Sequence, residues 1–316
     1  MKARSTSRAM RSFSFVALPA AVAALVHPAS HLARAGRRAV VPSAVNLEED
    51  AGGLKYVALT HPSGASAKVF LYGADVTSYV DADGTEWIAV RPDAKMDGSK
   101  PISGGLSHCF PQFGPGEIQQ HGFARNVDWA IADMGETSAT FELTPNKYTR
   151  EIWDKPFACQ FKVALGPSSL DTTLTVVNTG RGESFDFQAA LHSYLDVSSI
   201  GAVKIAGSFE GSSYLDKMAD PPATCTEARK EITIAEEYDR VYMGVNDPVL
   251  KDSGKKKLLK IVNSEGYADT VLWNPYGNDA MGYEKFVCVE SVKYDPVPLA
   301  AGETWSGVMS LVPEPL

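Results

Sequence analysis

The sequence predicts an all-β protein, a large antiparallel two-sheet sandwich folded as a single domain. Three observations carry this. From Leu54 onward, short runs rich in Val, Ile, Leu, Phe and Thr are broken by Gly, Asp, Asn and Pro at turn spacing. No long segment has the 3.6-residue apolar period of an amphipathic helix. No repeat or low-complexity block divides residues 54–316. Strands without intervening helices bury their apolar faces against a second sheet. At 316 residues, length alone does not require a second domain.

The N-terminal stretch stands apart. Residues 1–47 hold seven basic residues (Lys2, Arg4, Arg8, Arg11, Arg34, Arg37, Arg38) and no acid. Residues 12–26 are apolar but interrupted by Pro19, too short and broken for a membrane-spanning helix. The order basic, apolar, small resembles a secretory signal, and the Arg/Ala/Ser-rich residues that follow resemble an organelle transit peptide. Together they predict a bipartite plastid presequence over residues 1–47, with the secretory pathway or cytoplasm as alternatives, and a mature domain over residues 48–316.

Within the mature chain, AKVFLYG (67–73) and DVTSYV (75–80) read as strands, and DADG (81–84) as a turn into a further strand, TEWIAV. TSATFELT, FACQFKVAL, LDTTLTVVN, FDFQAALHSYLDV, VKIAGSF, KLLKIVN, DTVLWN, KFVCVESV and TWSGVMSLV continue the series. Between them lies KPISGGLSHCFPQFGPGEIQQHGFARNVDW (100–129), with five glycines and three prolines set among aromatics. That density of Gly and Pro forbids a long regular element, while the aromatics argue for order, so an ordered binding loop is expected. Gly104-Gly105 is no phosphate-binding P-loop, since no GK[ST] follows.

Two strands carry unusual residues. In FDFQAALHSYLDV, alternation puts Phe187, Ala189, Leu191, Ser193 and Leu195 on a core face and Gln188, Ala190, His192, Tyr194 and Asp196 on the other. In FVCVES, Glu290 shares a face with Phe286 and Cys288 after an apolar run, where a carboxylate must be paired or face a cleft. His192 and Glu290 could thus meet on one concave face. Read alone, a histidine such as His192 is more often structural and a glutamate such as Glu290 more often ion-paired.

Composition excludes several classes. Removing the seven leader cations from 30 basic residues leaves 23 against 38 acids, a net charge of −15 that repels phosphate backbones. Nucleic acid is therefore not an expected partner, nor is a membrane for the mature form. The four cysteines (Cys109, Cys159, Cys225, Cys288) form no CxxC or Cys/His cluster, so no metal site is expected. Cys288 reads as packing and His108 as structural, while His121 could orient the loop or touch a ligand.

Seven stretches now combine: DGSKPISGG (97–105), FPQFG (110–114), QQHGFARN (119–126), LHSYLDV (191–197), YLDK (214–217), DTVLWNPY (269–276) and VCVES (287–291). In order and spacing, over residues 54–312, they resemble the glucose-6-phosphate 1-epimerases (hexose-6-phosphate mutarotases) of the aldose 1-epimerase superfamily. The resemblance implies a galactose mutarotase-like supersandwich with a sugar bound on a concave sheet face. It implies His192 as general acid, Glu290 as general base, and Gln120, Arg125 and Asp216 as substrate-binding residues. The ligand would be a small sugar phosphate, with no cofactor and a monomeric protein. One position departs: Ser103 stands where the family commonly has an arginine that helps hold the phosphate, which leaves Lys100 or His108 as candidates for a second charge. Trp273 could offer an apolar face to the sugar ring.

Anomer exchange fits a cofactor-free acid and base, since opening a hemiacetal removes the C1 hydroxyl proton and protonates the ring oxygen. Three other readings share part of the pattern: a non-catalytic carbohydrate-binding β-sandwich, an epimerase of non-phosphorylated aldoses, and a glycoside hydrolase. The hydrolase would ordinarily need two carboxylates rather than His plus Glu.

Overall fold

A computed structural model describes residues 47–316; the proposed leader, apart from Leu47, lies outside the described residues. Twenty strands follow in chain order. The first ten are β1 (Leu47–Glu49), β2 (Lys55–Thr60), β3 (Ser66–Phe70), β4 (Val76–Val80), β5 (Leu106–Cys109), β6 (Ala130–Met134), β7 (Ser138–Leu143), β8 (Phe157–Leu165), β9 (Leu170–Asn178) and β10 (Phe185–Asp196). The rest are β11 (Val203–Ala206), β12 (Ser213–Asp216), β13 (Ala223–Thr226), β14 (Glu231–Ile232), β15 (Tyr238–Tyr242), β16 (Val249–Asp252), β17 (Lys257–Glu265), β18 (Asp269–Asn274), β19 (Phe286–Leu299) and β20 (Thr304–Pro315). Leu47, placed with the leader by its composition, pairs with Val57 as the start of β1.

The strands form two antiparallel sheets. One has eleven strands in the order β1-β2-β3-β4-β5-β10-β19-β18-β15-β12-β13, the other nine in the order β14-β11-β16-β17-β20-β9-β8-β7-β6. Alternation explains how they meet. In β8, Phe157, Cys159, Phe161, Val163 and Leu165 are buried while the residues between them are not. In β9, Leu170, Leu174 and Val176 are buried on the same period. They join Phe187, Ala189, Leu191 and Leu195 of β10, on the other sheet, in one continuous core.

β10 and β19 lie near the middle of the larger sheet, and every residue from Ala189 to Leu195 is buried. The core face is covered by the second sheet. The opposite face is covered by the loop between β5 and β6, which encloses a cavity over the two strands. Here the glycines matter. Gly122 holds φ +69, and a Cβ there would lie 2.1 Å from the Phe110 carbonyl oxygen. Only glycine lets the two arms of this loop close at that distance.

TEWIAV, expected as a strand, forms only isolated bridges, Val80 with Glu86, Ile88 with Leu195 and Val90 with Gly104. Its backbone donors are met only partly by other strands: Trp87 and Ala89 donate to the Tyr79 and Tyr194 carbonyls (2.9 Å each). The Glu86 carboxylate accepts the Trp87 and Ile88 N–H groups (3.0 Å each) and that of Tyr79 in β4 (2.8 Å). Among the described residues, no helix is long and apolar enough to cross a membrane.

Candidate active site

A cavity of about 260 Å³ opens on the outer face of β10, β18 and β19. His192 and Glu290 lie on its floor. The register pairs Leu191 with Ser291 and Tyr194 with Cys288, so His192 and Glu290 face one another across adjacent strands. His192 Nδ1 is 3.6 Å from Glu290 Oε1, close but beyond a hydrogen bond. Neither His192 Nδ1 nor Glu290 Oε2 has another partner, although both are buried. Two unpaired polar groups in a buried site are costly, and they mark a place where a ligand completes the hydrogen bonding.

Burial pushes the His192 imidazole well below its usual range, with His121, Arg125 and Lys217 adding to the effect. Burial also pushes the Glu290 carboxyl well above the usual carboxylate range; nearby Asp239 adds to this, and Lys217 and Arg125 oppose it. In the free protein the pair therefore favours neutral imidazole beside a protonated carboxyl. That is one proton held by two groups, and moving it from Glu290 to His192 changes no net charge.

Aromatic packing fixes the imidazole. The Tyr194 ring stacks on it at 4.8 Å and 11°, and Trp273 meets it edge-on at 5.8 Å. His121 lies at 5.5 Å. The Gly114 N–H donates to His121 Nδ1 (3.2 Å), the Gln120 amide nitrogen lies 3.3 Å from its Nε2, and burial lowers this histidine to about 3, so the ring is neutral. His121 itself holds φ +64, a left-handed backbone unusual outside glycine.

Arg125 sits in a short 3₁₀ turn, Ala124–Asn126, and donates from Nη2 to the Gln120 carbonyl at 3.2 Å; its Nε is buried without a partner. Lys217 Nζ contacts both oxygens of Asp239 at 2.9 Å. Arg91 and Ser103 complete one side of the cavity.

Of the residues expected from the sequence, His192, Glu290, Gln120, Arg125, Ser103 and Trp273 line this cavity together. Asp216 does not. Its carboxylate is tied to Arg240 Nε at 3.0 Å and accepts the Met218 N–H. Alternation at the end of β12 turns Asp216 away and presents the next residue, Lys217, which brings Asp239 with it. YLDK thus pointed to the right strand and the wrong side chain. Arg91 and Asp239 carried no sequence signal. Lys100 is exposed, and His108 is buried between Trp129 and Phe161, so neither adds charge here.

His192, Cys288 and Glu290 bring one donor atom each within 4.8 Å of one another. Burial pushes the Cys288 thiol well up, and it packs with Phe286 and Tyr194. In that setting it supplies packing rather than a thiolate ligand.

Known proteins resemble this chain in sequence and fold. The family model described as aldose 1-epimerase matches residues 55–312. A protein of Cenchrus ciliaris named "Putative glucose-6-phosphate 1-epimerase" is 33% identical over 280 residues, spanning 82% of this chain and 84% of its own. An Escherichia coli protein of the same name is 28% identical, covering 75% of this chain and 83% of its own. The crystal structure of a "putative mutarotase (YeaD)" from Salmonella typhimurium superposes with a TM-score of 0.75 at 25% identity, over 86% of this chain and 97% of that one.

Proposed function

Because the chain belongs to the aldose 1-epimerase family and is an epimerase, we propose that it interconverts the α and β anomers of a hexose 6-phosphate, glucose 6-phosphate above all. The observation that carries this reading is the His192/Glu290 pair, 3.6 Å apart on the floor of a cavity rimmed by cations. Glu290 takes the proton of the C1 hydroxyl while His192 gives one to the ring oxygen. The bond from C1 to that oxygen breaks and an aldehyde forms. Rotation about C1–C2 presents the other face, and the reverse transfers close the ring and restore both groups.

This sequence needs the shared proton on His192, opposite to the preference of the empty site. Lys217 and Arg125 already pull toward ionised Glu290. A sugar hydroxyl donating to the carboxylate strengthens that pull, so substrate binding readies the pair. Gln120 and His121 offer hydrogen bonds to sugar hydroxyls, and Trp273 an apolar face to the ring.

Equilibrium anomer exchange, measured by NMR on glucose 6-phosphate, tests the reading. The protein accelerates exchange, and His192→Ala and Glu290→Gln each lower the rate about 10²–10⁴-fold. Unchanged rates in both variants would refute the mechanism. Ser103, a hydroxyl in place of a cation, favours a second reading in which non-phosphorylated aldoses are the substrates. The same assay on glucose, galactose and their 6-phosphates separates the two. The basic, acid-free leader supports a plastid location for the mature domain, residues 48–316, which a fluorescent fusion to residues 1–47 tests.

A further inference from the structure

We propose that Arg91 is a specificity-determining residue of this site, supplying with Arg125 the charged hydrogen bonds that hold the sugar's phosphate. The inference rests on the hexose 6-phosphate reading above.

Position comes first. The Arg91 N–H donates to the Ser103 carbonyl at 2.9 Å, and Val90 bridges to Gly104. A Cβ on Gly104 would lie 2.6 Å from Val90 Cα, so glycine there lets the two segments lie side by side. Arg91 is thereby fixed next to Ser103, whose hydroxyl is too short and uncharged to grip an anion. A cation missing from one segment is present on its neighbour.

Availability comes second. The Arg91 side chain is only 12% exposed, and Asp93 engages its Nε (2.9 Å) and Nη2 (2.5 Å). A guanidinium has five N–H groups, so Asp93 leaves three, with the Tyr194 hydroxyl as a further hydrogen-bonding neighbour. Asp93 spends part of the charge, but it also holds the planar fork in one orientation.

Charge balance comes third. The cavity is lined by three cations, Arg91, Arg125 and Lys217, and by two carboxyls, Asp239 and Glu290. Asp239 is spent on Lys217, and Glu290 favours its neutral form. With Asp93 on Arg91, one positive charge is left unbalanced, that of Arg125, whose Nε–H is buried with no acceptor, while Arg91 brings its remaining N–H groups to the same cavity. A phosphate, with several acceptor oxygens and up to two charges, matches two arginine forks better than a hydroxyl does.

The test compares wild type with Arg91→Gln, which keeps much of the stem, and Arg91→Lys, which keeps the charge without the fork. The readout is the ratio of kcat/KM for glucose 6-phosphate to that for glucose, with inorganic phosphate as competitor. Arg91→Gln should lower that ratio roughly 10- to 100-fold, mostly through KM, and weaken inhibition by phosphate by a similar factor. Arg91→Lys should fall between. An unchanged ratio, or equal losses on both sugars, overturns the assignment while leaving the substrate reading intact. If wild type shows no preference for the phosphorylated sugar, the substrate reading fails, and phosphate binding followed by ³¹P line broadening still decides Arg91. Binding lost in Arg91→Gln supports it; binding retained in that variant, or absent from wild type, overturns it.

Discussion

His108→Leu should make the protein less sensitive to acid, and the structure sets the size of the effect. His108 is fully buried, stacked on Trp129 at 5.1 Å and edge-on to Phe161 at 4.3 Å, with neither ring nitrogen hydrogen-bonded. Burial lowers it from 6.5 to about 3. The sign follows from proton counts. Between those two values the unfolded chain binds a proton that the native state refuses, so stability is whole above 6.5 and declines as pH falls. At about pH 5, roughly 1.5 units at about 1.4 kcal/mol each give a loss of roughly 2 kcal/mol. Leucine fills a similar volume and removes both the titration and two unpaired buried atoms. Urea unfolding of wild type and variant at about pH 8 and about pH 5 measures it. At the higher pH the variant should be as stable as wild type or more so, and its advantage should grow by about 2 kcal/mol at the lower. A difference between the proteins that does not change with pH refutes the reasoning, because it would mean that His108 accepts a proton where it stands.

Other expectations follow from the same structure. Burial opposes ionisation of Glu227, but the Arg229 fork, its backbone N–H and the Tyr242 hydroxyl outweigh it and bring the carboxyl to about 2. Its contribution is therefore present above about 4.5 and lost as pH falls toward 2, and Glu227→Gln should cost about 2–3 kcal/mol at neutral pH and nearly nothing near pH 2, read by urea midpoints. Asp216→Ala breaks a pair with Arg240 outside the cavity, so thermal melts should show a loss of about 1–3 kcal/mol while anomer exchange stays within about threefold. Gly122→Ala should cost 3 kcal/mol or more, on the order expected when a left-handed φ is combined with backbone collision, and soluble yield or melting temperature reports it. For the pair itself, kcat/KM should decline as pH rises through the raised ionisation of Glu290, which then gives up the shared proton and leaves no acid.

Most of the larger sheets was legible because their strands obey the period of two: FACQFKVAL, LDTTLTVVN and DTVLWN became β8, β9 and β18 with the same ends. TEWIAV failed as a strand because a strand needs a partner along its length, and here one side chain, Glu86, binds the Trp87 and Ile88 N–H groups. The catalytic candidates were legible as oddities of pattern, a histidine mid-strand on the face opposite the core and a glutamate closing an apolar run. Asp216 was misplaced because a motif names a strand end, whereas alternation along that strand decides which neighbour turns inward. Arg91 was invisible, since it follows a segment that reads as a strand but pairs only by isolated bridges, and it gains its role only from lying against Ser103.

His108 and His192 show what separates the readable from the unreadable. Both are strand histidines, on the neighbouring strands β5 and β10, and His108 pairs with Leu191, one residue from His192. Burial suppresses the charge of both. They point to opposite sides of one sheet. His108 faces the second sheet, where only aromatic rings meet it, and there its low pKa is a stability cost with nothing to offset it. His192 faces a cavity, with a carboxyl 3.6 Å away and unbalanced positive charge around the rim. There the same suppression becomes useful, because a neutral imidazole beside a protonated carboxyl is one proton transfer away from an acid and a base. Alternation assigns the two histidines to opposite faces, but not which face is closed. That is decided by the loop Phe110–Gly122 folding over β10, and it is the loop, more than the histidine, that makes the site.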